Sequence, residues 1–140
     1  MLKLPRILVV EDDEIDILNM ERVFRRNNVL NALEFARNGS EALSKLESVE
    51  FRRSGPLAVI MDLNMPKMGG LELLRRIRQN PELDGIPLVV FSTSDEEEDL
   101  AEAFRYHPTA YFVKALAQER FQEDILSVLK LINLSRHPRC

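Results

Sequence analysis

Five short runs of aliphatic and aromatic residues punctuate this chain, each followed by a longer stretch whose apolar residues recur at helical spacing. Strands covered on both faces read as near-continuous aliphatic runs, and their alternation with amphipathic helices builds βαβ units around a parallel sheet. The predicted strands are Ile7–Val10, Leu33–Ala36, Leu57–Met61, Leu88–Phe91 and Ala110–Val113. Between them, Ile17, Met20 and Phe24 fall at i, i+3 and i+7 and give the first helix one buried stripe. The second opens at Asn38, a capping side chain with Glu41 three residues on, and buries Leu43 and Leu46. Leu74 and Ile77 mark the third, with an i, i+4 ion pair between Glu72 and Arg76 on its wet side. Ser94 and Glu97 repeat the capping pattern before a fourth helix expected to bury Leu100 and Phe104. The fifth carries Phe121, Ile125, Val128, Leu129 and Ile132 on one stripe, with Leu126 and Leu134 off it. Phe51–Pro56 reads as a surface excursion, and the aperiodic tail 135–140 as a frayed end.

The 140 residues suit one domain, assigned to 1–134, followed by a flexible tail at 135–140. Nineteen basic against 23 acidic side chains give a net charge of −4, which argues against nucleic acid as the main partner. The local Arg75-Arg76-Ile77-Arg78 cluster reads as a solvated helix face. No apolar run approaches the ~18 residues of a membrane span, and Ile7–Val10 meets Glu11 too soon for a signal peptide. The single Cys140 has no internal partner, which suits a reducing compartment. Together these features predict a cytoplasmic protein.

In an open parallel sheet, ligands bind beyond the carboxyl ends of the strands. The residues there are Glu11, Asp12 and Asp13 after the first strand, Asp62 after the third, Ser92 and Thr93 after the fourth, and Lys114 after the fifth. Taken singly, each has a bland reading. The acidic run could favour a helix N-terminus, Asp62 could mark an ordinary turn, and Lys114 could be a surface lysine. Taken jointly, they suggest a pocket of carboxylates, a hydroxyl and an ammonium. Crowded carboxylates repel unless a cation joins them, and an all-oxygen set favours a hard ion such as Mg²⁺. With that charge neutralised, Asp62 could accept a phosphoryl group whose oxygens Lys114 and Ser92 would hold.

Four blocks carry a family resemblance: Ile7–Asp13, Val59–Gly70, Pro87–Thr93 and Tyr111–Lys114. In this order and spacing the chain resembles the receiver domain of two-component response regulators. The resemblance implies a flavodoxin-like (βα)5 three-layer sandwich with a central five-stranded parallel sheet in the order 2-1-3-4-5. It implies Glu11 and Asp12 as the acidic pair, Asp62 as the phosphoacceptor, and the Asn64 carbonyl as a further ligand of Mg²⁺. Ser92 and Tyr111 become the switch pair, and Lys114 the phosphate-binding lysine. The acid run Asp95–Asp99 reads as solvated first-turn charge.

One departure is Ala115, where receivers usually carry a proline in a cis peptide. A non-proline cis bond costs about 2.5–4 kcal/mol, so a trans bond and a displaced Lys114 are expected. The loop Asn80–Pro87 and the Ser92-Thr93-Ser94 run look like the single-domain receivers serving phytochrome kinases. The implied partner is a sensor histidine kinase, with output through protein contacts or a homodimer using the fourth helix, fifth strand and fifth helix. One rival is an unphosphorylated pseudo-receiver, favoured by Ala115. The other is an aspartyl-nucleophile phosphohydrolase, disfavoured because Asn64 stands where its general acid would be.

Overall fold

A computed structural model describes residues 4–65, 68–115 and 117–134. The strands are β1 Arg6–Val10, β2 Leu33–Ala36, β3 Leu57–Met61, β4 Leu88–Ser92 and β5 Ala110–Val113. All pair in parallel, in the order β2-β1-β3-β4-β5. The flavodoxin-like fold and strand order are as expected. The helices are α1 Glu14–Arg26, α2 Gly39–Glu47, α3 Val49–Arg53, α4 Gly70–Gln79, α5 Glu97–Phe104 and α6 Gln118–Leu134. The frayed-tail expectation at 135–140, and residues 66–67 of the second motif block, lie outside the described residues.

Alternation along the strands sends side chains to two cores. Ile7, Val9, Ile60, Val89 and Phe91 pack with the stripes of α1 and α6. Leu8, Val10, Val59, Met61 and Val90 pack with α2, α4 and Ala103 of α5. Both faces of β3 and β4 are buried from end to end, which is why their sequences are apolar throughout save for the terminal Ser92. Each buried Val, Leu, Ile, Met or Phe side chain there contributes about 1.5–3 kcal/mol on leaving water.

Asn38 caps α2 by accepting the Glu41 N–H at 2.8 Å, as the spacing predicts. Three local expectations need correction. Phe51–Pro56 is not a plain excursion, because α3 occupies its first part, capped by Ser48 and held by Arg6, whose guanidinium donates to the Phe51 and Gly55 carbonyls and lies over the Phe51 ring. Ser94 does not cap α5, which begins only at Glu97; its hydroxyl instead donates to Asp99 at 2.5 Å. With that shorter helix, Ala103 faces the core, Leu100 is half-buried, and Phe104 is 49% exposed with its ring stacked on Tyr111. The expected i, i+4 ion pair between Glu72 and Arg76 is present at 3.9 Å, and Glu72 also engages Arg75 bidentately.

Arg78, read as part of a solvated face, is a staple. From the last turn of α4 its guanidinium donates to the carbonyls of Asp84 and Ile86 ahead of β4, and of Tyr106 and His107 ahead of β5. Arg78→Met is expected to lower stability by about 2–4 kcal/mol, the worth of one or two charge-assisted hydrogen bonds. Urea unfolding should show a lower midpoint at unchanged slope.

Candidate functional site

The strand ladder itself assembles the site. Val10 of β1 pairs with Met61 of β3, so the next residues, Glu11 and Asp62, emerge side by side. The Asp62 N–H donates to the Val10 carbonyl at 3.0 Å, and the Glu11 N–H to the Ala36 carbonyl at 2.9 Å, fixing both backbones. On the other side, the Lys114 N–H donates to the Ser92 carbonyl at 2.7 Å and continues the β4–β5 ladder into the pocket. The loop after β3 is pinned by close packing. A Cβ on Gly70 would stand 2.3 Å from the Asp62 carbonyl oxygen and 2.6 Å from the Leu63 Cα, so only glycine lets α4 start there. The Gly70 N–H donates to the Leu63 carbonyl at 3.0 Å.

Carboxylate oxygens of Glu11, Asp12 and Asp62 lie within 4.8 Å of one another. Glu11 and Asp62 are buried, at 2% and 6% exposure, whereas Asp12 is exposed. Two buried carboxylates and a third at the rim form an all-oxygen donor set that fits a hard divalent cation. The positive charge among them is the Lys114 ammonium, 2.5 Å from Glu11, 2.7 Å from Asp16 and 3.5 Å from Asp62. The Lys114–Ala115 peptide is trans. With that trans bond the Lys114 side chain, 5% exposed, still reaches the acidic cluster.

Asp13 caps α1, accepting the N–H groups of Ile15 and Asp16 at 2.9 and 3.3 Å. Asn64 is exposed, with its backbone N–H donating to Asp62 Oδ1 at 3.2 Å and its side-chain amide 3.5 Å from Thr93 Oγ1. Ser92 ends β4 fully buried, its hydroxyl accepting the Ser94 N–H at 3.3 Å. The Tyr111 hydroxyl donates to the Ser94 carbonyl at 2.8 Å, linking β5 to the loop that follows Ser92. Burial pushes its phenol upward against the opposing hydrogen bond to Ser94. Asp16 is not among the predicted site residues; its signal is a carboxylate in the first turn of the helix that follows the acidic run.

Burial drives Glu11 up to about 7, against the hydrogen bond from Lys114 that favours its ionised form. For Lys114, burial pulls downward, but hydrogen bonds to Asp16 and Glu11 outweigh it and raise the ammonium above its ordinary value. A carboxyl raised in the folded state holds a proton that the unfolded chain releases. Its contribution is fully present below the ordinary 4.5 and is lost as pH rises through about 7. Chelator-treated protein should therefore lose melting temperature across that window, and Glu11→Gln should flatten the slope.

A family model described as the response regulator receiver domain matches residues 7–126. Response regulator Rcp1 from Synechocystis sp. is 35% identical over 111 residues, spanning 78% of this chain and 76% of that protein. The solved structure of the phosphorylated cyanobacterial phytochrome response regulator RcpA matches with a TM-score of 0.81 at 28% identity, covering 90% of this chain and 91% of that one. The Mn²⁺-bound form of Rcp1 matches at 0.79 and 30% identity, covering 89% and 91%.

Proposed function

Because the chain belongs to the response regulator receiver domain family of two-component signalling, we propose that it accepts a phosphoryl group from a sensor histidine kinase on Asp62. The observation that carries this reading is the meeting of the Glu11, Asp12 and Asp62 oxygens, with the Lys114 ammonium 3.5 Å from Asp62. An Asp62 carboxylate oxygen attacks the phosphorus of a phosphohistidine. The O–P bond forms as the P–N bond breaks, and the electron pair leaves with the imidazole nitrogen. Lys114 and the Ser92 hydroxyl then hold the phosphoryl oxygens. Glu11, Asp12, Asp62 and the Asn64 carbonyl are the residues that would hold Mg²⁺, which supplies charge neutralisation between carboxylate and phosphoryl group. The Mn²⁺ bound to Rcp1 supports a divalent ion at this cluster.

Because Ser92 carries the loop that Tyr111 grips through Ser94, a pull on the Ser92 hydroxyl biases the Tyr111 ring, and with it Phe104 stacked outside. The output face is therefore α5–β5–α6, the surface named in the sequence reading as the fourth helix, fifth strand and fifth helix. Phe104 and Val113, exposed by 49% and 41%, lie on it and support a homodimer there. Leu126 is half-buried against the core and contributes less than its sequence position suggests, while Leu134 is 79% exposed. RcpA is a phytochrome response regulator, which supports a kinase of that type. The receiver spans 1–134. No helix among the described residues is long and apolar enough to cross a membrane; a cytoplasmic location follows only from the proposed histidine kinase partner. It signals and does not turn over a substrate: Asn64 in place of a general acid disfavours the hydrolase reading, and the acid–lysine set weighs against a pseudo-receiver.

Incubation with acetyl phosphate and Mg²⁺ is expected to add the mass of one phosphoryl group, mapped to the peptide containing Asp62. Unmodified protein, or labelling at another residue, would overturn the assignment. Sedimentation with and without the phosphodonor tests the dimer, and a monomer in both states removes it.

A further inference from the structure

Lys114 has three carboxylate partners, and two of them have a second commitment. Glu11 and Asp62 belong to the donor cluster with Asp12, so a cation drawn there competes with Lys114 for both. Asp16 stands outside that cluster. Its carboxylate lies 2.7 Å from Nζ, nearer than that of Asp62 at 3.5 Å. It is also well fixed: Asp16 sits in the first turn of α1, its N–H donating to the capping Asp13, and its side chain is 21% exposed. Charge balance gives it no other evident purpose. With a divalent cation bound, Glu11, Asp12 and Asp62 would carry three negative charges that the cation and one ammonium offset, so Asp16 adds a surplus anion beside a site meant for another anion.

We propose that Asp16 is a positioning residue for Lys114. It gives the ammonium a resting place on α1 when a divalent cation claims Glu11, and so keeps Nζ beside Asp62 when it would otherwise swing toward solvent. This rests on the phosphoacceptor reading above and adds to it a group that never touches the phosphoryl donor. Asp16 also compensates for the absence of a proline after Lys114, since the fold of the loop is not the sole restraint on the lysine.

The test is a double-mutant cycle between Asp16→Ala and Lys114→Ala, read as the acetyl phosphate labelling rate at saturating Mg²⁺. Asp16→Ala is expected to slow labelling about tenfold in the native background, less than the roughly 10²-fold of a full 1 Å misplacement because Asp62 still attracts the ammonium, and to have little effect once Lys114 is already alanine. Asp16→Glu should recover part of the rate. In parallel, the ¹⁵Nζ resonance of Lys114 should be sharp in Mg²⁺-loaded native protein and lost to solvent exchange in Asp16→Ala. Equal slowing in both backgrounds, or an unchanged rate and resonance with only a lower melting temperature, would overturn the proposal. If native protein binds Mg²⁺ but takes no phosphoryl group, the functional reading fails and the Nζ resonance alone decides the role of Asp16. Failure to bind Mg²⁺ overturns both.

Discussion

Replacing Asp62 with asparagine is expected to reduce phosphoryl acceptance at this position on the order of 10⁴-fold or more, the scale seen when a nucleophile is removed. The amide is nearly isosteric and its oxygen can still accept the Asn64 N–H, but it carries no negative charge and is a poor nucleophile. Lys114 keeps its shorter contacts to Glu11 and Asp16, so the pocket stays occupied and the chain stays folded. Loss of one buried carboxylate also removes repulsion with Glu11, to which the Asp62 charge contributes. Stability should therefore be retained or raised while labelling disappears. Intact mass and thermal melting on the same sample separate the two, and labelling that persists at native rate would move the phosphoacceptor elsewhere.

Gly70→Ala should do the reverse, damaging the fold and the chemistry together. The added methyl group meets backbone on β3's exit, 2.3 Å from the Asp62 carbonyl oxygen and 3.0 Å from its carbon, and backbone cannot rotate aside. Overpacking of this kind costs about 1–3 kcal/mol and occasionally more, and a contact this short belongs at the upper end. Whatever relief the chain finds must move α4 or the Asp62–Leu63 segment. A displacement of about 1 Å at the reacting carboxylate costs on the order of 10²-fold in rate. Denaturation and labelling kinetics should both register the change; a variant as stable and as readily labelled as the native protein would refute the packing argument.

Three of the five strands are legible as nearly unbroken apolar runs, and β2 and β5, with Glu34 and Tyr111 among their four residues, by their β-forming aromatics and their place between helical stretches; all five boundaries agree almost to the residue. The candidate site is legible in a related way: Glu11, Asp62, Ser92 and Lys114 stand out where apolar runs stop, and the structure brings Glu11, Asp62 and Lys114 into contact. What eluded sequence reasoning lacks periodicity or depends on partners distant in the chain. The five residues of α3 are too few to display a helical period, and Gly55-Pro56 disguised them as loop. Arg78 resembles its neighbours Arg75 and Arg76 until the loops ahead of β4 and β5 bring their carbonyls to it. Asp16 reads as an ordinary first-turn acid of α1, and only the fold carries Lys114, 98 positions away, to its carboxylate. Phe104 fits a helical stripe, but a helix of eight residues starting at Glu97 turns that stripe outward.

At the amino ends of the strands, neutral or positive side chains tie the incoming loops to one another through carbonyls: Arg6 to Phe51 and Gly55, Asn31 to Pro5, Arg78 to four more. At the carboxyl ends the ties are carboxylates sharing one ammonium. The molecule is thus bolted along one rim and adjustable along the other. In the phosphoacceptor reading proposed above, a phosphoryl group would find the strand amino ends already fastened, and its pull would be borne sideways, across β4 and β5, toward the proposed output face.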